Sequence, residues 1–233
     1  MKAGENNVLL NRKGRRKKHN SVITKPKYSG RAGKRYLKQL GTAGEEAVTQ
    51  ELMSKLGNGY LVLSDIMLKG NSGYTTQIDH IVLSIYGIFV IETKNYSGTV
   101  YGSANDMYWQ HINRAGVITK MYNPIRQNNG HIKTLAKVLD MGYERIVNNS
   151  CDFVVFSNKT NLSLNLGVYA SKIVPFDFLV RSIHQYTQIR FTEQEVWHMY
   201  GMLKTMNMKS KYSRNKHNKQ VEALNNRGSR SAL

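Results

Sequence analysis

Residues 42–56 repeat apolar positions with a helical period. Ala47, Val48, Leu52 and Leu56 fall on one face, and Gly57 supplies a stop. The pattern then shortens. Residues 60–68 read as a strand and 69–75 as a Gly/Asn/Ser loop, and 76–84 and 87–93 read as two strands with a very short link. Residues 100–103 and 108–112 are further strands around a polar turn. Asn123-Pro124 opens a helix to about residue 140, because proline suits a first-turn position; Ile125, Ile132, Leu135, Ala136 and Leu139 form its apolar face. Residues 153–157 and 167–170 read as strands and 177–186 as a helix. Thr192, with Glu195 three residues on, is a capping box for a helix to Met206. No internal repeat is visible. The order helix, antiparallel strands, helix, strands, helix predicts one mixed α/β domain.

Charge divides this chain of 233 residues, whose formal net charge is +19. Residues 1–40 carry 13 Lys+Arg against one acid, and residues 204–233 carry 8 against one. The intervening segment has 13 of each sign and is neutral. A neutral domain with two flexible basic tails is expected, the tails attracting polyanions without reading sequence. The densest run is Arg12, Lys13, Arg15, Arg16, Lys17 and Lys18, a nucleic-acid-binding candidate, the plainer reading being a solvated tail that aids solubility. A membrane surface is a weaker partner, since neither tail has an amphipathic apolar face to insert. The single cysteine, Cys151, excludes an internal disulfide and a cysteine-cluster zinc site, and reads as a small core residue. Residues 8–10 are too short for a secretory core, and no stretch approaches a membrane span, so a soluble, cytoplasmic protein is expected.

The chemistry concentrates in the hairpin. A two-residue loop at Ile85-Tyr86 pairs Ser84 with Gly87 and so sets Asp79 opposite Glu92. Directly opposed Cβ atoms lie about 4.5–5.5 Å apart. Alternation then puts Gln77, Asp79, Ile81 and Leu83 on one face with Ile88, Val90, Glu92 and Lys94. Opposed like charges destabilise a sheet. Lys94, a shared proton or a divalent metal would offset the repulsion, and such oxygen donors suit Mg²⁺ or Mn²⁺. Phosphodiester cleavage uses that kit. The plain structural alternative is a buried Asp/Glu/Lys network that holds the sheet together.

Asp79 followed by Glu92-Thr93-Lys94 resembles the D…ExK motif of the PD-(D/E)XK nuclease superfamily. The wider set is more particular: Gly41-Thr42-Ala43-Gly44-Glu45, Gln77-Ile78-Asp79-His80, Gly87 through Asn95, then Gly98, Trp109 and Asn123 through Gln127. Together these resemble the NERD (nuclease-related) domain over residues 41–156. The resemblance implies a restriction-endonuclease-like mixed β-sheet flanked by helices. It implies that Asp79, Glu92 and Glu45 hold the metal, that Lys94 orients the attacking water, and that Gln127 positions substrate or metal-bound water. Ile78 stands where the superfamily's naming proline would be.

Other residues have two readings. Glu45 otherwise serves the helix dipole. His80 points away from Asp79 and reads as a packing residue. Gln127 and His131, four apart on one helical face, approach the site or bond each other and solvent. Trp109 and Trp197 read as core anchors, and Tyr96, Tyr101 and Tyr108 as sheet-face fillers or base-stacking groups. The expected organisation is a basic disordered arm (1–40), a nuclease-like domain (41–156), an α/β extension on the same core (157–208) and a basic disordered tail (209–233). The expected activity is Mg²⁺- or Mn²⁺-dependent hydrolysis of nucleic acid, DNA ahead of RNA. The rival is a binding or recruiting module that keeps the fold without turnover.

Overall fold

The computed structural model describes residues 30–70, 73–208 and 210–230. The Arg12–Lys18 cluster lies outside them. Strands β1 (Leu61–Lys69), β2 (Thr75–Ser84) and β3 (Gly87–Lys94) form an antiparallel meander. β7 (Ser150–Phe156) runs parallel to β3, and β9 (Ile173–Pro175) parallel to β7, completing a five-stranded mixed sheet. β4 (Gly98–Ser103), β5 (Tyr108–Ile112), β6 (Ile118–Tyr122) and β8 (Thr160–Asn165) make a second, four-stranded mixed sheet. The helices are α1 (Arg31–Lys55), α2 (Pro124–Val138), α3 (Tyr143–Asn148), α4 (Leu179–His184), α5 (Glu193–Met206) and α6 (Lys211–Arg230). The architecture is therefore mixed α/β, with two mixed sheets flanked by helices.

Alternation along β2 and β3 explains the layering. Ile81, Leu83, Ile88 and Val90 pack on one face against Ile132 and Leu135 of α2 and Met199 and Leu203 of α5. Val82, Phe89 and Ile91 pack on the other against Val48 and Leu52 of α1 and Leu179 and Ile183 of α4. Trp109, fully buried, fills the space beneath the second sheet with Val100 and Phe156. Residues 157–208 contribute β8 to one sheet, β9 to the other and α5 to the core.

The hairpin has the expected register, running from Ser84↔Gly87 to His80↔Ile91. Ile85 and Tyr86 are not at positive φ, whereas Gly87 lies at 149°. An unfavoured turn pair is thus accommodated by the glycine that follows it. A Cβ there would also meet the Asn149 carbonyl at 3.1 Å.

Several elements differ from the sequence pattern. The first helix begins at Arg31, eleven residues before the expected start at residue 42, so residues 31–40 are helix, not arm. Its early turns are tied down by Asn95, whose Nδ2 donates to the Leu40 carbonyl at 2.7 Å. Residues 211–230 form α6, not an unstructured tail. The helix docks through polar side chains, which hydrophobic periodicity does not reveal. Gly167–Lys172 is a 3-10 helix where a strand was expected. Trp197 is 60% exposed, on the outer side of α5 against Tyr200, and is not a core anchor. No helix among the described residues is long and apolar enough to cross a membrane.

Candidate active site at the end of the acidic hairpin

The β2–β3 ladder ends one pair before Asp79 and Glu92, and a side chain takes over from it. Asp79 Oδ2 accepts the backbone N–H of Thr93 at 2.8 Å. Glu92 is buried with both oxygens engaged. Oε1 is ion-paired to Lys94 Nζ, while Oε2 accepts from Gln127 Nε2 at 2.7 Å and faces His131 Nε2 at 3.3 Å. Lys94 Nζ also donates to Gln127 Oε1 at 3.3 Å, closing a ring of Glu92, Lys94 and Gln127. His131 is held from behind, its Nδ1 lying 2.8 Å from Thr76 Oγ1. Helix α2 therefore delivers two side chains to the site, not one. It can do so because Asn123 caps it, accepting the Ile125 N–H at 3.0 Å, with Pro124 in the first turn.

The two opposed carboxylates are electrostatically unlike. Burial would raise Glu92, but Lys94 and His131 override it and hold the carboxyl down at about 2. Asp79 is pushed well above the usual carboxylate range by burial and then by the charge on Glu92. Lys94 remains a cation: burial opposes its charge, but Glu92 outweighs burial and raises the ammonium. One carboxylate is thus neutralised in place, and among the described residues its neighbour has no ion pair of its own.

Glu45 reaches this region from α1. Gly44 lets the helix approach, since a Cβ there would lie 2.5 Å from Asn95 Cβ. Burial raises the Glu45 carboxyl, and the charges on Asp65 and Glu92 raise it further. Its neighbour Glu46 is exposed. His80 packs on the α1 side, as expected, with Nε2 3.1 Å from the Glu45 carbonyl and 2.9 Å from Thr49 Oγ1. Burial lowers it to about 4, so it is neutral.

Sequence reasoning missed one acid. The β1–β2 ladder skips the rung between Ser64↔His80 and Ile66↔Ile78, and the skipped pair is Asp65 and Asp79. Asp65 sits at φ 54°, in the left-handed region. Alternation breaks here: Ile78 and Ile81, three apart, enter the same core cluster. Gln77 consequently leaves the face assigned to it and donates from Nε2 to Asp65 Oδ1 at 2.9 Å. Asp65, Asp79 and Glu92 stand at facing positions on three adjacent strands. The signal was present as a lone acid in the apolar run 61–68, but its register depended on a loop of unspecified geometry.

Buried Glu92 and half-buried Asp79 and Glu45 are oxygen donors of the kind a hard divalent cation takes. Among the described residues, however, no group of three or more His, Cys, Asp or Glu side chains is close enough to hold a metal ion. Tyr101 is 42% exposed on the open face of the second sheet, away from this ring of contacts, and Tyr96 packs on His111.

An uncharacterised protein of Bacillus anthracis is 32% identical over 215 residues, covering 89% of this chain and 90% of the relative. A solved protein of unknown function, AF1548, matches over 80% of this chain and 99% of its own, at 12% identity and a TM-score of 0.33. The family model described as "Nuclease-related domain" matches residues 40–158, a span that holds Glu45, Asp65, Asp79, Glu92, Lys94 and Gln127 together. The chain belongs to the nuclease-related domain (NERD) family.

Proposed function

We propose that this chain is a metal-dependent nuclease of the PD-(D/E)XK type, hydrolysing nucleic-acid phosphodiesters, DNA ahead of RNA. One observation carries the reading. Asp79 and Glu92 face each other at the end of the hairpin, Glu92 buried and Asp79 half-buried, and among the described residues only Glu92 is ion-paired to a lysine. A structural ion network would match both, because a carboxyl taken even partly out of water without a countercharge is costly. Perturbed, mismatched carboxyls are what a site for a further cation leaves behind.

Asp79, Glu92 and Glu45 would hold the cation, Mg²⁺ or Mn²⁺, which when bound polarises phosphate and lowers the pKa of water. Lys94, kept protonated by Glu92, is a fixed cation and not a proton acceptor. It orients a water or stabilises charge at the phosphate. Gln127 bonds both Glu92 and Lys94 and sets their orientation. The basic segments, including Arg12, Lys13, Arg15, Arg16, Lys17 and Lys18, add affinity without sequence preference. A cytoplasmic location belongs to the same reading.

A second reading is favoured by a specific observation. Both Glu92 oxygens are engaged by side chains, and no three-ligand cluster is formed among the described residues. That suits a nucleic-acid-binding module without turnover. The test incubates the protein with plasmid, linear duplex, single strands and RNA, in Mg²⁺, Mn²⁺, Ca²⁺ or EDTA, beside Asp79→Ala and Lys94→Ala. The nuclease reading expects cleavage in Mg²⁺ or Mn²⁺ that both substitutions abolish. Cleavage surviving both overturns this site; binding without cleavage in any metal establishes the second reading.

A further inference from the structure

We infer that Arg214, delivered by helix α6, is a substrate-phosphate ligand of the acidic site, held on Asp65 until a phosphate replaces that carboxylate. The inference rests on the nucleic-acid reading above and adds a residue from outside the matched domain. Arg214 grips Asp65 with both nitrogens: Nη1 donates to Oδ1 at 2.9 Å and Nη2 lies 2.7 Å from Oδ2. Asp65 is the residue at the skipped rung opposite Asp79, so this guanidinium sits one strand from the proposed centre.

The pair is not what fastens α6. Before the helix, Asn207 Oδ1 accepts the Met67 N–H at 3.0 Å and the Met208 N–H donates to the Met67 carbonyl at 2.9 Å. These bonds cover the outer edge of β1. Within the helix, His217 Nδ1 lies 3.0 Å from the Thr75 carbonyl, and Gln220 Oε1 accepts from Thr75 Oγ1 at 3.1 Å. Arg214 and Asp65 are by contrast 36% and 42% exposed as side chains, where an ion pair adds little stability.

The fork of a guanidinium matches a carboxylate and a phosphate equally well. Asp65 therefore occupies the position a phosphate would take. The site requires such a cation. A polyanion entering it meets Glu45, Asp65, Asp79 and Glu92, while Lys94 is already committed to Glu92 and Gln127. Beside the pair, a groove of about 370 Å³ is lined by Ser64, Asp65, Lys204, Asn207 and Arg214, which places a second cation near Arg214.

Binding of a fluorescent DNA duplex, followed by anisotropy across a salt titration in EDTA, tests this without turnover. Arg214→Ala should weaken binding about tenfold and lower the salt slope by about one. Arg214→Lys should restore most of the slope, and Asp65→Asn, which frees the guanidinium, should tighten binding. Limited proteolysis of α6 reports whether the helix stays docked. An unchanged slope in Arg214→Ala overturns the inference, as does equal weakening by Arg214→Ala and Asp65→Asn, the mark of a mere latch. If wild type binds no nucleic acid, both readings fall. If it binds and cleaves while Arg214→Ala matches it, only this inference falls. If binding depends on Arg214 but no metal supports cleavage, the inference stands and the nuclease reading falls.

Discussion

Removing Lys94 would leave Glu92 charged in a place closed to water. Breaking a buried pair by deleting one partner costs about 3–5 kcal/mol, since the survivor keeps its desolvation penalty without its compensation. Lys94→Ala should lose that much stability by urea unfolding, and Lys94→Ala with Glu92→Gln should recover most of it. A double variant as unstable as the single would show that the pair is not coupled as the geometry states. Asp79 should behave oppositely. Its carboxyl is raised by burial and by Glu92, so its ionised form is the strained one, and that cost is present above its raised native pKa. Asp79→Asn keeps an oxygen for the Thr93 N–H and removes the charge. It should gain on the order of 1 kcal/mol at neutral pH while abolishing cleavage, and a loss of stability there would mean that Asp79 is a structural ion. At this scale Asp79, Glu92 and Lys94 were legible because motif and register both point to them, and Gln127 through the family resemblance and its helical spacing. Asp65 was not, because its left-handed backbone breaks the alternation on which face assignment depends.

Elements with self-contained signals were read well from sequence. Asn123-Pro124 gives a helix start, and the asparagine proves to be more than a cap. Fully buried, it also donates from Nδ2 to the Asp106 carbonyl at 2.8 Å and the Ala104 carbonyl at 3.2 Å, tying α2 to the β4–β5 turn. Asn123→Ala removes the cap and leaves the Ala104 and Asp106 carbonyls without this donor. It should cost about 2 kcal/mol, measured by denaturant unfolding, and should loosen Gln127 one turn on. The capping box at Thr192 and Glu195 was legible for the same reason. β6, β8 and α6 were not, because they are short or polar and owe their form to partners distant in sequence. α6 carries a consequence of that docking. His217 is depressed below its ordinary value by burial, with His131 adding to the effect and its bond to the Thr75 carbonyl opposing it. A depressed histidine contributes stability that is present above its unfolded pKa of about 6.5 and is lost as pH falls below it. Proteolysis of α6 should therefore accelerate between about pH 7.5 and about pH 5.5, and His217→Gln should flatten the change. A profile identical in the variant would assign the acid sensitivity elsewhere.

Over the whole molecule the charge is arranged so that affinity and chemistry come from different parts. The span from 41 to 203 is neutral, so nothing in its net charge draws a polyanion toward four acids. The excess lies at the two ends, and one end is folded back as α6 beside Asp65. The fold class was legible because hydrophobic alternation and helical stripes record which faces are buried; the placement of the charged ends was not, since polar docking leaves no periodic trace. Residues 1–29 hold 9 Lys+Arg and one acid, including the Arg12–Lys18 cluster. Each phosphate neutralised on duplex DNA contributes about 0.9 to the slope of log affinity against log salt. Deleting 1–29 should therefore lower the slope by several units and weaken binding most at low salt. Cleavage per bound complex should be unchanged, because none of Glu45, Asp65, Asp79, Glu92, Lys94 or Gln127 is in that segment. The contrast with Arg214→Ala is quantitative: about one unit of slope for a single seated phosphate, against several for a diffuse attraction. An unchanged slope on deletion would remove the basic N-terminal segment from the account of binding and leave α6 as the remaining cationic element beside the site.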